Sequence, residues 1–252
     1  MGAMTKSIVI TGGSRGIGAA TARLAGKRGW SVAVNYSGNE KAARETAAAV
    51  ETAGGKAIVV RGDVAEESDV VRLFDAAVEA FGGIDGVVNN AGIIVAPPQS
   101  LAEMSAERIR RVVSVNFVGA YLVAREGVRR MAKSRGGRGG VIVNVSSAAA
   151  RLGGPNEYVD YAGTKGAIDT LTVGLAKEVG PDGIRVAAVR PGLIETDIHA
   201  SGGSPGRAER LGSTVPIGRS GTADEVGAAI VWLLSDEASY VNGAILEITG
   251  GR

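Results

Sequence analysis

Short runs of apolar, often β-branched residues recur along the chain and alternate with segments of helical character. Several of these runs are apolar at consecutive rather than alternate positions, which is typical of strands that are covered on both faces. The runs that predict strands are residues 7–10, 31–35, 57–60, 86–89, 141–145, 186–189 and 245–248.

The segments between these strands carry a helical period. After the third strand, apolar residues recur at i, i+4, i+7, i+8 and i+11 and form one stripe, namely Val70, Phe74, Ala77, Val78 and Phe81. Further helices are predicted from Gly16 and over residues 40–53. Repeated strand-helix alternation predicts an α/β fold, a Rossmann-type doubly wound parallel sheet of about seven strands with helices on both faces. No linker divides residues 1–252, so we expect one domain.

Composition narrows the classes of function. The formal net charge of +2 is too small to argue for nucleic acid or an acidic membrane as a partner. No apolar run reaches the roughly 18 residues of a membrane span. The chain has no cysteine and one histidine, His199, which excludes thiolate chemistry and histidine-rich metal centres and leaves little room for a Ser-His-Asp triad. Residues 1–4 resemble no targeting peptide, and residues 1–3 are interpreted as a cloning remnant ahead of Met4, so the cytoplasm is the expected location.

A glycine-rich turn joins the first strand to the first helix. Its glycines permit a tight turn and close backbone approach, and the helix N-terminus offers unpaired N–H groups to a pyrophosphate. The spacing is neither the usual dinucleotide fingerprint nor a Walker A loop, so a plain tight turn is the alternative. The residues expected to bind a dinucleotide here are Gly12, Ser14, Arg15, Gly16, Ile17 and Gly18.

The end of the second strand bears on the choice of cofactor. An acidic residue at this point would bind the ribose 2′-hydroxyl of NAD, but the chain has Asn35, Tyr36 and Ser37 and no carboxylate before Glu40. Arg15 in the glycine turn can meet a 2′-phosphate instead. The sequence therefore favours NADP(H), with NAD(H) still possible.

Tyr161 and Lys165 are four residues apart in a segment of helical character, so their side chains share one face. A tyrosine ionises near pH 10, and a neighbouring cation is expected to lower that pKa and make proton transfer practicable. The spacing alone is common, and a surface aromatic residue is the alternative interpretation.

Taken in order, these motifs resemble the short-chain dehydrogenase/reductase family in its compact single-domain form, along nearly the whole chain. The matching pieces are the glycine turn, Asp63-Val64, Asn89-Asn90-Ala91-Gly92, Asn116, Ser146-Ser147, Tyr161-x3-Lys165 and Pro191-Gly192 with Thr196. Within the family, the chain is similar to 3-oxoacyl-carrier-protein reductases and glucose dehydrogenase-like members.

The resemblance implies an oxidoreductase that transfers hydride between a nicotinamide cofactor and a ketone or secondary alcohol. Tyr161 would be the general acid or base, and Lys165 would lower its pKa and bind the nicotinamide ribose. Ser147 would hold the substrate oxygen, and Asn116 would position a water that relays protons to Lys165. The remaining residues implied to bind the cofactor are Asp63, Val64, Asn90, Ala91, Gly92, Pro191, Gly192, Ile194 and Thr196.

Three details of this assignment are open. The family's usual serine-to-tyrosine spacing would fall on Ala148, so Ser147 is chosen and Ser146 is the fallback, which strand alternation should turn away. Tyr158 has no lysine four residues on and is expected to line the substrate pocket at most. Asn89 is expected to be structural.

The segment 195–212 follows a strand end and is long for a loop, so a mobile substrate lid is expected there. His199 is interpreted as a lid surface residue. The loops 93–104 and 151–160 are expected to share the choice of substrate, which their composition does not identify. The family usually forms homotetramers. The alternatives are a catalytically silent dinucleotide-binding sensor or scaffold, and a nucleotide-sugar epimerase or dehydratase, for which few residues remain after Pro191.

Overall fold

Nine parallel-paired strands organise the chain in the computed structural model, which describes residues 5–252 apart from the side chain of His199. The strands are β1 (Ser7–Ile10), β2 (Ser31–Tyr36), β3 (Lys56–Arg61), β4 (Gly86–Asn89), β5 (Gly140–Val145), β6 (Ile184–Pro191), β7 (Ile194–Glu195), β8 (Gly221–Thr222) and β9 (Ile245–Ile248). The main sheet has the order β3-β2-β1-β4-β5-β6-β9, and all its neighbouring strands are parallel. This confirms the predicted seven-stranded doubly wound sheet.

Helices cover both faces of this sheet. They are α1 (Gly16–Gly26), α2 (Glu40–Thr52), α3 (Glu67–Phe81), α4 (Ala106–Val113), α5 (Ala120–Met131), α6 (Ala149–Leu152), α7 (Val159–Val179), α8 (Ile198–Ser201), α9 (Arg207–Leu211) and α10 (Ala223–Leu234). A π-helical turn, Ser114–Gly119, joins α4 to α5. The 21-residue helix α7 carries Tyr161 and Lys165 near its N-terminus.

Consecutive apolar residues in the strands serve two separate cores. In β1, Ile8 and Ile10 belong to the cluster under α1, α2 and α10, whereas Val9 belongs to the cluster under α3, α5 and α7. In β5, Val143 and Ile142 divide in the same way. Each fully buried Val or Ile contributes about 1.5–3 kcal/mol relative to an exposed one, so both faces fix the register of the strands.

The strand order places the site. The chain leaves β1 toward one side of the sheet and returns at β4 on the other side, and the crevice at such a switch point binds ligands in open α/β sheets. The glycine turn after β1 and residues 90–92 after β4 both lie at this crevice.

The segment 195–212 differs from its prediction as a loop. It begins with the second residue of β7, which pairs with β8, and it continues into the short helices α8 and α9. Helices of four or five residues span little more than one turn, so their sequences contain no helical repeat from which they could be predicted. Within residues 5–252, no helix is long and apolar enough to cross a membrane.

Candidate active site

A groove of about 480 Å³ runs across the carboxyl ends of the strands, within the volume range of small-molecule sites. The sequence-predicted residues that line it are Gly12, Ser14, Arg15, Gly16, Ile17, Asn35, Tyr36, Ser37, Asp63, Val64, Asn90, Ala91, Gly92, Ser147, Tyr161, Lys165, Pro191, Ile194 and Thr196. Ser146, the fallback for Ser147, also lines it. Residues that were not predicted to bind line it as well, namely Gly38, Asn39, Gly62, Ile93, Arg111, Val115, Val145, Asp197 and Ile198. The predicted residues Gly18, Asn116 and Gly192 lie outside the lining.

The glycine turn is held against the loop after β4. The Thr11 hydroxyl accepts hydrogen bonds from the backbone N–H groups of Asn90 and Ala91, both at 3.0 Å. The Asn90 amide donates back to the carbonyls of Thr11 and Gly12 at 2.9 and 3.1 Å. Asn90 therefore shapes the turn with its side chain.

Two glycines of the turn have physical reasons to be glycine. Gly12 has a φ of +60°, which disfavours other residues. A Cβ on Gly18 would lie 2.5 Å from the Gly12 carbonyl oxygen, so Gly18 allows close packing of helix and turn. Gly18 was predicted to contact the cofactor, and the structure instead gives it this packing role.

The turn fits a dinucleotide phosphate. Helix α1 begins at Gly16 with no acidic residue in its first turn, and its first N–H groups have no intrahelical acceptor. Gly16 and Ile17 line the groove there. An anion at this position gains from those N–H groups and from the helix dipole.

Asn35 lines the groove as predicted, and its side chain also holds the backbone around it. Its Oδ1 accepts from the Gly12 N–H at 3.3 Å, and its Nδ2 donates to the Gly62 carbonyl at 3.0 Å. This 3% exposed side chain therefore joins β2 to the two neighbouring loops. The more exposed Ser37 is better placed to meet a ribose.

Two arginines line the groove. Arg111 of α4, which no motif identified, lies 3.1 Å from the Asp63 carboxylate. The Arg15 guanidinium is farther from its partner, at 4.0 Å from the carboxylate of Asp197, and both of these side chains are more than half exposed. Arg15 is therefore the less strongly paired cation.

Asn116 sits in the π-helical turn and is 1% exposed. Its Oδ1 accepts from the Ile93 N–H at 2.8 Å, and its Nδ2 donates to the Ile93 carbonyl at 2.9 Å. A Cβ built on Gly92 would lie 3.5 Å from the Asn116 Oδ1 and 3.6 Å from the Lys165 Nζ. Asn116 thus approaches Lys165 across Gly92 and holds the loop after β4.

Tyr161, Lys165 and Ser147 meet at the other end of the groove. Tyr161 and Lys165 are 9% and 5% exposed, and the Lys165 Nζ lies 5.5 Å from the Tyr161 ring centroid. The Lys165 ammonium donates to the Val145 carbonyl at 2.7 Å, and the Ser147 hydroxyl is near enough to the Tyr161 hydroxyl to lower its pKa. Ser146 instead donates to the Lys165 carbonyl at 3.2 Å and is buried, so it is turned away from Tyr161.

Burial dominates the titration of this pair. It raises the pKa of the Tyr161 phenol above its usual value, and the hydrogen bond from Ser147 offsets part of the rise. Burial also lowers the pKa of Lys165 to about 8, against an opposite effect of Asp169. The expectation that Lys165 brings the Tyr161 pKa below its ordinary value is wrong for this structure. Desolvation of the phenolate raises that pKa by more than neighbouring groups lower it.

The depressed pKa of Lys165 predicts a pH-dependent stability. From pH 8 up to its ordinary pKa of 10.5, the unfolded state binds more protons at Lys165 than the folded state, so folding stability rises with pH. We expect the unfolding free energy to gain about 2 kcal/mol between pH 7 and 9.5 from this group. Urea unfolding at both pH values, compared with Lys165→Met, isolates the gain, and an equal gain in the variant would contradict the assignment.

The loops beside Tyr161 hold the segment 195–212. The Tyr158 hydroxyl donates to the Gly202 carbonyl at 2.8 Å, and Arg207 forms two hydrogen bonds of 2.7 Å with Glu157. A Cβ on Gly202 would lie 2.9 Å from Ile94, so the segment also packs on the loop after β4. Tyr158 is 8% exposed and anchors this segment, and it is absent from the residues that line the groove.

The remaining predicted residues fall as follows. Pro191, Ile194 and Thr196 line the groove. Gly192 lies outside the lining, and its N–H donates to the Ile248 carbonyl of β9. Asn89 is structural, donating to the Ala120 carbonyl at 2.8 Å and to Asn144 at 3.1 Å. The side chain of His199 lies outside the described part of the chain, as do residues 1–4. No group of three or more potential metal ligands occurs in the described part.

Known proteins are similar to this chain in sequence and in fold. Residues 12–252 match the sequence family described as "Enoyl-(Acyl carrier protein) reductase". The chain is 53% identical over 244 residues to "Uncharacterized oxidoreductase YgfF" of Escherichia coli K12, covering 97% of this chain and 98% of that protein. It is 41% identical over 250 residues to "L-rhamnose 1-dehydrogenase (NAD(P)(+))" of Azotobacter vinelandii, covering 98% and 96%.

A solved structure is also similar to this chain. The 3-ketoacyl-(acyl-carrier-protein) reductase from Brucella melitensis complexed with NADH superposes with a TM-score of 0.88 at 32% identity, covering 98% of both chains. The chain belongs to the short-chain dehydrogenase/reductase family. It is an NAD(P)-dependent oxidoreductase that acts on CH–OH and C=O groups.

Proposed function

We propose that the protein reduces a ketone with NADPH, or oxidises the matching secondary alcohol, with Tyr161 as general acid or base. The observation that carries the proposal is that Tyr161 and Ser147 line the same groove beside the buried Lys165. The N-terminus of helix α1, which suits an anion, lines that groove as well. The bound nicotinamide would supply the hydride.

The side chains have distinct tasks. Because burial raises the pKa of Tyr161, the phenol is protonated at neutral pH and can donate its proton to a substrate oxygen during reduction. Ser147 donates a hydrogen bond to that oxygen as negative charge develops on it. In the oxidative direction, the Lys165 ammonium stabilises the phenolate that accepts the proton. Asn116, which approaches Lys165 across Gly92, is proposed to hold a water that returns the proton.

An activity panel tests the reaction. L-rhamnose and an acetoacetyl thioester follow the names of two similar proteins, glucose follows the resemblance to glucose dehydrogenase-like members, and simple ketones complete the panel. The sugars are tested with NADP⁺ or NAD⁺ and the carbonyl compounds with NADPH or NADH, and turnover is followed by absorbance at 340 nm. We expect turnover of at least one compound. Cofactor binding by calorimetry with no turnover on the whole panel would favour the silent dinucleotide-binding protein instead.

NADPH is the proposed preference because the ribose end of the groove has two arginines and the end of β2 provides no carboxylate. Arg111 is engaged by Asp63 at 3.1 Å, whereas the 4.0 Å pair of Arg15 with Asp197 leaves Arg15 able to meet a 2′-phosphate. The relative named for NAD(P)⁺ and the neighbour bound to NADH make dual use a reasonable alternative.

Arg15→Ala is expected to lower kcat/KM for NADPH by about 10- to 100-fold, since a hydrogen bond to a charged group contributes about 1.5–3 kcal/mol. Its kcat/KM for NADH should change less than threefold. Asp197→Asn is the matched variant, and freeing Arg15 should leave NADPH use unchanged or improved. A wild-type protein that prefers NADH would overturn the assignment.

The segment 195–212 is proposed to act as a substrate lid that is closed in this structure. The proposal is supported by its contacts with Tyr158, Glu157 and the loop after β4, which tie it to the segments beside Tyr161. Opening requires the Glu157–Arg207 pair and the Tyr158–Gly202 hydrogen bond to break.

Glu157→Gln should therefore favour the open lid and raise KM for substrate by about three- to tenfold, without a matching loss of kcat. Glu225→Gln is the control, because it weakens an equally short ion pair, with Arg219 at 2.6 Å, outside the lid. If both variants change KM alike, or neither does, the Glu157–Arg207 pair does not govern the lid.

We further propose that the protein forms a homotetramer and is located in the cytoplasm. Apolar side chains on the α5 and α7 side are exposed in the single chain, including Val118, Tyr121 and Val173, each about 40% exposed. Covering them in a homotetramer would remove that area from water. Sedimentation equilibrium tests this, and a monomer at micromolar concentration would contradict it. Fractionation of the host cell tests the location.

A further inference from the structure

The catalytic helix α7 carries a buried acid that the proposed mechanism does not use. Asp169 lies one helical turn after Lys165 and is 8% exposed. Its Oδ2 accepts two hydrogen bonds from Arg190 of β6, from Nε at 3.0 Å and Nη2 at 2.8 Å. Its Oδ1 is buried and accepts no hydrogen bond within the described part of the chain. A carboxylate oxygen left in this way is costly and calls for a reason.

Arg190 does not fully neutralise this acid. The same guanidinium also donates to Glu247 of β9 at 2.7 Å, so one cation faces two carboxylates. Glu247 has a second partner, Arg151, at 3.0 Å, and it is the more exposed of the two acids. Asp169 is thus the inner of the two acids that share Arg190, and water screens its carboxylate least.

The carboxylate of Asp169 opposes the effect of burial on the pKa of Lys165. On α7, the titratable groups near the ammonium are Tyr161 and Asp169. From the other elements it meets neutral groups, the Val145 carbonyl of β5 at 2.7 Å and Asn116 across Gly92. Most charged groups of the elements packed on α7 are in ion pairs: Arg108 of α4 with Asp160, Arg111 of α4 with Asp63, Arg151 of α6 with Glu247, Arg190 of β6 with Asp169, and Arg125, Arg129 and Arg130 of α5 with Glu67, Glu126 and Asp75. Of the others, Glu107 and Arg110 of α4 are exposed, and Arg185 of β6 donates to the carbonyls of Leu233, Ser235 and Val241.

We propose that Asp169 is a positioning residue that keeps the Lys165 ammonium protonated inside the site, with Arg190 holding its carboxylate in place. Burial alone favours the neutral amine, and the negative charge one turn away opposes that effect. Because a neutral Lys165 cannot stabilise the Tyr161 phenolate, Asp169 sets the highest pH at which the pair works. The kinetic consequence rests on the function proposed above, whereas the protonation of Lys165 does not.

The direct test is an NMR titration of the full-length protein labelled with [ε-¹³C]lysine, with the Lys165 signal assigned by its loss in Lys165→Met. In Asp169→Asn, the midpoint of the Lys165 titration should fall by about one pH unit relative to wild type. In Glu247→Gln, which removes the other partner of Arg190, the midpoint should stay within about 0.3 unit. In Arg190→Gln, it should not fall, because the carboxylate loses its cation. A midpoint in folded Asp169→Asn equal to that of wild type would overturn the proposal.

A kinetic readout separates this effect from a purely structural one. For a ketone that the wild type reduces with NADPH, kcat/KM of Asp169→Asn at pH 6 should lie within about threefold of wild type, and its alkaline decline should begin about one pH unit lower. A structural tie between α7 and β6 would instead lower activity equally at every pH. If no compound of the panel is reduced, the proposed function fails while the NMR result still decides the role of Asp169.

Discussion

Tyr161→Phe is expected to lower kcat by about 10³-fold while leaving NADPH affinity within about threefold, since general acid-base catalysis contributes roughly 10²–10⁴-fold. Phenylalanine fills the same space, and the side chain is 9% exposed, so the fold and the groove should remain intact. The variant removes only the hydroxyl that we propose gives or takes the substrate proton. Steady-state kinetics on an active compound of the panel, with cofactor binding by calorimetry, measure both quantities.

Tyr240→Phe is the matched control because it deletes the same atom from a fully exposed tyrosine far along the chain from the groove. It should change kcat by less than twofold. Should Tyr161→Phe retain more than a tenth of the wild-type kcat, another group must transfer the proton. A loss of cofactor affinity equal to the loss of kcat would instead assign Tyr161 to binding.

The sheet was predictable because its signal is local. A strand buried on both faces must be apolar at consecutive positions, and the split of Ile8 and Val9 between two cores shows that requirement being met. The order of motifs then placed the groove, because parallel strands bring all their carboxyl ends to one edge. Most predicted residues line the groove for this reason.

The properties that depend on distant residues were not predictable. Helical spacing placed Lys165 beside Tyr161, but the amount of protein around the phenol decides its pKa, and that is a property of the folded chain. Asn35 lies near the end of β2, where a ligand-binding residue is expected, but its side-chain amide also forms hydrogen bonds with Gly12 and Gly62, which belong to two other loops. Arg111 lies on a helix whose sequence carries no motif, and only the fold brings it to the groove.

The pair of Arg108 with Asp160 is a second feature that only the fold reveals. The two side chains are 5% and 2% exposed, 52 positions apart in the chain, and joined at 2.9 Å. Arg108 also donates to the Pro97 carbonyl, to Gln99 and to the Glu157 carbonyl. Asp160 in turn accepts from the Tyr161 N–H at 2.9 Å. One buried guanidinium thus ties residues 97–99 and 157 to the first turn of α7.

Arg108→Met is therefore expected to destabilise the protein by about 3–5 kcal/mol, because it leaves the Asp160 carboxylate buried without its cation. Arg108→Lys should recover little of this loss, since an ammonium cannot reproduce the planar fork that reaches four partners. Arg110→Met on the same helix removes an exposed arginine and should change stability by less than about 0.5 kcal/mol. Urea unfolding of each variant gives these differences.

A double variant distinguishes a buried charge from lost packing. In Arg108→Met with Asp160→Asn, the asparagine oxygen can still accept from the Tyr161 N–H, and no unpaired charge remains. The double variant should therefore be more stable than Arg108→Met alone, by about 2 kcal/mol or more. Equal stability of the single and double variants would mean that Arg108 acts through its contacts with the loop carbonyls, and that the carboxylate beside Tyr161 reaches water without it.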